Sequence, residues 1–134
     1  DRFSWEIPMG GGAKGKAALD EVKRELQEET GLFAETWTAL GPVHTSNSVV
    51  DETGYVWLAQ GLRQGSPNPD GDEQLALWRL PLAEALSLAQ RGEIADSISV
   101  IGLYRAFHAG LTQAKCENCL PTWSRVIDVD RALV

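Results

Sequence analysis

The stretch RELQEETGL, residues 24–32, constrains the fold and chemistry of this chain more than any other. On a helix, positions three and four apart share a face, so Glu25 stands over both Glu28 and Glu29, with Glu21 one further turn back. Stacked like charges are unfavourable, by on the order of 0.2–0.5 kcal/mol per exposed pair. Arg24, four before Glu28, relieves part of this as an ion pair. A divalent cation would relieve the rest, and oxygen-only ligands select a hard ion such as Mg²⁺ or Mn²⁺. The plain alternative is a solvated helix face with ordinary glutamates. Upstream, Ala18, Leu19, Val22 and Leu26 form an apolar stripe that predicts a helix over residues 17–30. Gly31 suits its C-terminus, because only glycine enters the left-handed conformation without steric cost.

The preceding loop offers a competing reading. Gly10, Gly15 and Lys16 have the spacing of a phosphate-binding P-loop. Such a loop needs a Ser or Thr hydroxyl after the lysine, and Ala17 has none. Val126-Ile127-Asp128 could pose as the second, metal-associated strand, but it lies at the far end of the sequence and the required parallel crossovers are missing. Three successive glycines are also a common way to make a plain loop.

Elsewhere the pattern alternates between strands and helices. Residues 3–8 read as a short strand with Phe3, Trp5 and Ile7 on one face. Residues 35–43 read as a strand broken at Gly41-Pro42, 44–52 as a polar loop, and 54–62 as a second strong strand. A turn-rich loop over 63–74 leads to a strand over 75–80, then helices over 82–91 and 96–111. The tail, 112–134, is hard to read. The order is that of one mixed α/β domain spanning 1–134. A net charge of −7 argues against a basic nucleic-acid-gripping face. It does not exclude an anionic substrate, because a bound cation reverses the local field. No apolar run approaches membrane-spanning length. The two cysteines, Cys116 and Cys119, read as ordinary thiols or as a weak metal or redox pair. So few cysteines, and no export signal, imply a cytoplasmic protein.

Taken together, Gly10, five residues, position 16, seven residues and RELQEETGL resemble the Nudix hydrolase box, Gly-x5-Glu-x7-Arg-Glu-apolar-x-Glu-Glu-x-Gly-apolar. The second half matches at every specified position. The resemblance implies an α/β/α sandwich with a mixed sheet, in a chain that lacks the strands usually preceding the box. It implies hydrolysis of a nucleoside diphosphate linked to another moiety, with Mg²⁺, or Mn²⁺, bridging the diphosphate and helping to activate water. Carried over by position, Glu25 and Glu29 are metal ligands, and Glu28 is a ligand directly or through water. Arg24 orients Glu28, Met9 offers a backbone carbonyl to a metal, and Gly31 closes the helix. Lys16 departs from the box, which has Glu there. It either lowers metal affinity or touches a phosphate.

Three further stretches look like the ADP-ribose and nucleotide-sugar pyrophosphatase branch. The loop 45–52 implies substrate contacts by Ser46, Asp51 and Glu52, although Ser46-Asn47-Ser48 stands where many ADP-ribose enzymes carry Ser-Pro-Gly. Residues 92–99 resemble the opening of the last long helix. Asp70-Gly71-Asp72-Glu73-Gln74 matches the acidic loop that closes over the diphosphate and supplies a metal glutamate and a general base; Glu73 is the natural catalytic candidate for one of these roles, and Asp70, Asp72 and Glu73 all stand open as general base. The branch also implies a homodimer. Rival expectations are a Nudix hydrolase of dinucleoside polyphosphates or nucleoside triphosphates, and a catalytically weakened nucleotide-binding module. Of the five tryptophans, Trp5, Trp57 and Trp78 fall in expected strands and read as core rather than as base-stacking groups.

Overall fold

The computed structural model describes residues 4–12, 16–46, 48–66, 76–111, 127–128 and 131–133. Helix α1 (Ala18–Thr30) leads directly into β1 (Leu32–His44), which returns as β2 (Thr53–Gln64). Helices α2 (Leu82–Gln90) and α3 (Ser97–Ala106) follow, and α3 runs on into a π-helical turn, Phe107–Leu111. Two short strands, β3 (Ile127–Asp128) and β4 (Arg131–Leu133), complete a sheet of order β1-β2-β4-β3.

The layers follow from side-chain alternation on β2. Successive strand residues face opposite sides of a sheet. Leu58 packs with Ile7, Leu80, Leu86, Ile94 and Leu103, while its neighbour Ala59 packs with Leu26 and Leu32. Helix α1 therefore covers one face, and α2 and α3 cover the other. This is the expected α/β/α sandwich. All three strand pairings are antiparallel, so the parallel component of the expected mixed sheet is not seen among the described residues. Helix α3 can approach β2 closely because Gly102 carries no side chain: a Cβ there would lie 3.1 Å from Val56.

Caps place the box helix. Gly31 has φ of 69° and donates its N–H to the Gln27 carbonyl at 2.8 Å. This is the left-handed closure expected of it. Buried Thr30 donates to the Leu26 carbonyl and accepts from the Leu32 N–H at 3.1 Å, tying the last turn to the first residue of β1. The expected break at Gly41-Pro42 is a bulge inside one long strand: register shifts between Ala39 and Gly41, and Gly41 has φ of 99°. Arg105 of α3 holds it, donating from Nη1 to the carbonyls of Leu40 at 3.1 Å and Pro42 at 3.0 Å.

Two expected strands are corrected. Residues 4–8 and 76–80 belong to no strand and pair with none among the described residues. Alternating apolar residues favour extended backbone, but a strand needs a hydrogen-bonding neighbour. The Ile7 N–H goes instead to the buried Ser99 hydroxyl on α3, at 3.0 Å. Pro8 has no N–H to give. Both segments still reach the core through Ile7 and Leu80. Their tryptophans meet edge to face, Trp5 against Trp78 at 5.3 Å between ring centres, and neither residue lies in a strand. Trp57 does lie in β2 as expected.

Candidate active site

The face of α1 gathers its charges around one arginine. Arg24 donates to Glu21 at 3.2 Å and is also bonded to Glu25 and Glu28. The i, i+3 and i, i+4 spacings of a helix account for the Glu21 and Glu28 bonds of this clasp, while Glu25 is the chain neighbour of Arg24. Burial works against the Arg24 charge, but the carboxylates of Glu25, Glu21 and Glu28 outweigh it and hold its pKa above the usual value. The Glu28–Arg24 pair is the one expected from sequence. Glu21 and Glu25 on the same guanidinium were not expected.

Glu25 is the most constrained carboxylate. Burial pushes its pKa up, only partly offset by Arg24. Its carboxylate lies directly against Gly10, where any Cβ would fall inside it. The glycine loop and the acidic helix therefore form one cradle. Met9, next in the loop, is half-buried and its side chain packs against the main core, which anchors the loop. Glu29 also faces inward, with one carboxylate oxygen buried.

Lys16 is turned to Glu21, 3.0 Å away. This contact holds the Glu21 carboxyl below the ordinary carboxylate range, despite burial and with help from Arg24. Sequence reasoning placed Glu21 one helical turn before Glu25 but gave it no role. The usable signal was an acid three before Arg24 and five after a charge-reversed Lys16.

The loop between β1 and β2 brings the other expected residues together. Ser46, Asp51 and Glu52 line a shallow hollow of about 380 Å³, together with His44, Ser48, Val49 and Val50. Glu52 also accepts from the Thr45 hydroxyl across the neck of the loop, at 2.9 Å. Lys16 is not part of this hollow. Glu73, Asp70, Gly71, Asp72, Asn47 and the pair Cys116 and Cys119 lie outside the described residues.

Whether the residues suit a divalent cation can be judged from this cradle. Three glutamates within two helical turns, one pressed on a glycine, supply the hard oxygen donors such an ion takes. They fit it in kind. Among the described residues, no three acidic, imidazole or thiol groups already stand together as a coordination sphere, and Glu25 and Glu28 are engaged by Arg24.

Against known proteins, the family model for the NUDIX domain matches residues 1–99. The chain belongs to the Nudix family. This Nudix chain is 39% identical over 114 residues to an ADP-ribose pyrophosphatase of Mycobacterium tuberculosis, covering 83% of the chain and 55% of the relative. It is 34% identical over 99 residues to an ADP-ribose pyrophosphatase of Bacillus subtilis, covering 72% and 54%. A methanol dehydrogenase activator of Bacillus methanolicus is 36% identical over 100 residues, covering 73% and 54%. The chain thus spans about half the length of the curated relatives it matches. Among the described residues, no helix is long and apolar enough to cross a membrane.

Proposed function

We propose that this Nudix chain hydrolyses the diphosphate bond of a nucleoside diphosphate sugar, with ADP-ribose the first candidate, giving a nucleoside monophosphate and a sugar phosphate. The observation that carries this reading is the Gly10–Glu25 cradle, which sets the glutamates of the box helix against its glycine loop. The names of two relatives support the choice of ADP-ribose.

In this reading Glu25 and Glu29 would hold Mg²⁺, or Mn²⁺, and Glu28, directly or through water, and the Met9 carbonyl would assist them. When bound, the cation withdraws charge from the diphosphate and lowers the pKa of the attacking water. Arg24 orients Glu28 and compensates the carboxylates while the site is empty of substrate. The hollow at Ser46, Asp51 and Glu52 takes the nucleotide sugar, and Glu73, Asp70 and Asp72 are the candidates for general base. No covalent enzyme intermediate is required. A cytoplasmic setting and a homodimer complete the proposal.

A second reading, a nucleotide-binding module without turnover, is favoured by one observation: Arg24 already occupies Glu25 and Glu28. Incubation with Mg²⁺ and a panel of ADP-ribose, other nucleoside diphosphate sugars, dinucleoside polyphosphates and ATP separates the readings. Release of AMP and ribose 5-phosphate from ADP-ribose, faster than turnover of the others, is expected. Preferred turnover of ATP or a dinucleoside polyphosphate would contradict the substrate, and binding with no turnover of any would leave the module.

A further inference from the structure

The Nudix box asks for a carboxylate at position 16 and leaves position 21 unspecified. In this chain the charges run the other way, with an ammonium at Lys16 and a carboxylate at Glu21, 3.0 Å apart. The two are unequal in setting. The Glu21 side chain is 10% exposed and that of Lys16 is 60% exposed. A carboxylate so far out of water needs partners, and Glu21 has two, Lys16 and Arg24. Arg24 in turn is shared among Glu21, Glu25 and Glu28.

This sharing creates a competition. Glu25 and Glu28 cannot give their oxygens fully to a cation while Arg24 holds them. Glu21 is the one carboxylate of the clasp that the metal reading does not use. It stands one turn back, on the side of Arg24 toward the helix N-terminus. We propose that Glu21 is a positioning residue that retains Arg24 when Glu25 and Glu28 turn to a divalent cation, and that Lys16 sets how strongly Glu21 does so. The inference rests on the reading that the box helix binds such a cation. Lys16 then acts through Glu21 rather than on a substrate phosphate. A positioning group of this kind typically changes metal affinity by about 10–100-fold when removed.

The test is Mn²⁺ binding to the full chain without substrate, read from the free-ion electron paramagnetic resonance signal, for the parent, Glu21→Gln, Lys16→Met and the double variant. Urea unfolding of each metal-free protein checks that it is folded. Exposed Lys16→Met keeps the test usable should Glu21→Gln fold poorly. Expected are Mn²⁺ binding weakened about 10-fold or more in Glu21→Gln, tightened several-fold in Lys16→Met, and no effect of the lysine change once Glu21 is Gln. Unchanged affinity in folded Glu21→Gln, or effects of the two changes that simply add, would overturn the relay. So would Lys16→Met that leaves Mn²⁺ binding untouched. If the parent binds Mn²⁺ no better than Glu29→Gln does, the metal reading itself fails and takes this proposal with it.

Discussion

The Glu25 carboxylate occupies the space that a side chain at Gly10 would fill. The first glycine of the box is thereby explained by contact rather than by loop flexibility. Its lack of a Cβ lets the loop sit on the acidic helix, and helix and loop become parts of one site. Gly10→Ala must push either the loop or the carboxylate aside. The atoms met are the far end of a flexible side chain, so the shift costs little stability, on the order of 0.5 kcal/mol. We expect a loss of stability of that order by urea unfolding, and a larger proportional loss of ADP-ribose hydrolysis. A fully active Gly10→Ala would show that the cradle is not required.

Glu25 also predicts a pH dependence. Its folded pKa lies above the ordinary value of 4.5 because burial penalises the charged form. A raised carboxyl contributes stability that is present below the unfolded pKa and is lost as pH rises through the folded pKa. Without metal, the stability of the parent relative to Glu25→Gln should therefore fall as pH rises from about 4.5. Added Mg²⁺ should recover it, because binding needs the deprotonated carboxylate. Urea unfolding of both proteins across this range, with and without Mg²⁺, measures the effect. A difference that stays flat or grows with pH would contradict the assignment.

Much of this site was legible because a helix has a fixed period. Arg24 and Glu28 are neighbours by spacing alone, and the structure pairs them, whereas the bond from Arg24 to adjacent Glu25 was not legible. Gly31 was legible for the same kind of reason, since a helix end needs a left-handed residue. What spacing could not show was the partner of each charge. Glu21 is at the right interval from Arg24, yet its pairing with Lys16 depends on how the chain enters the first turn. The segments at 4–8 and 76–80 alternate like strands yet form none among the described residues, because alternation does not report hydrogen-bond partners. The Arg105 anchor on the β1 bulge was invisible because its contacts are 63 and 65 residues away in sequence.

That anchor has a measurable consequence. Arg105 satisfies two carbonyls at the bulge, just ahead of the loop that carries Ser46, Asp51 and Glu52. Hydrogen bonds to a charged donor are each worth about 1.5–3 kcal/mol net. Arg105→Met should destabilise the protein by roughly 2 kcal/mol, after allowing for the partial exposure of the group. It should also raise KM for ADP-ribose more than it lowers kcat, because the hollow moves while the box helix stays. A fall in kcat alone would place the effect on the box helix instead.

The most direct test of the account is the initial rate of ADP-ribose hydrolysis with saturating Mg²⁺, parent beside Glu29→Gln, with folding of both confirmed. If the box helix is the catalytic metal site, the variant should lose activity by about a thousandfold while keeping its fold. A Glu29→Gln protein that hydrolyses ADP-ribose at the parental rate would contradict that claim.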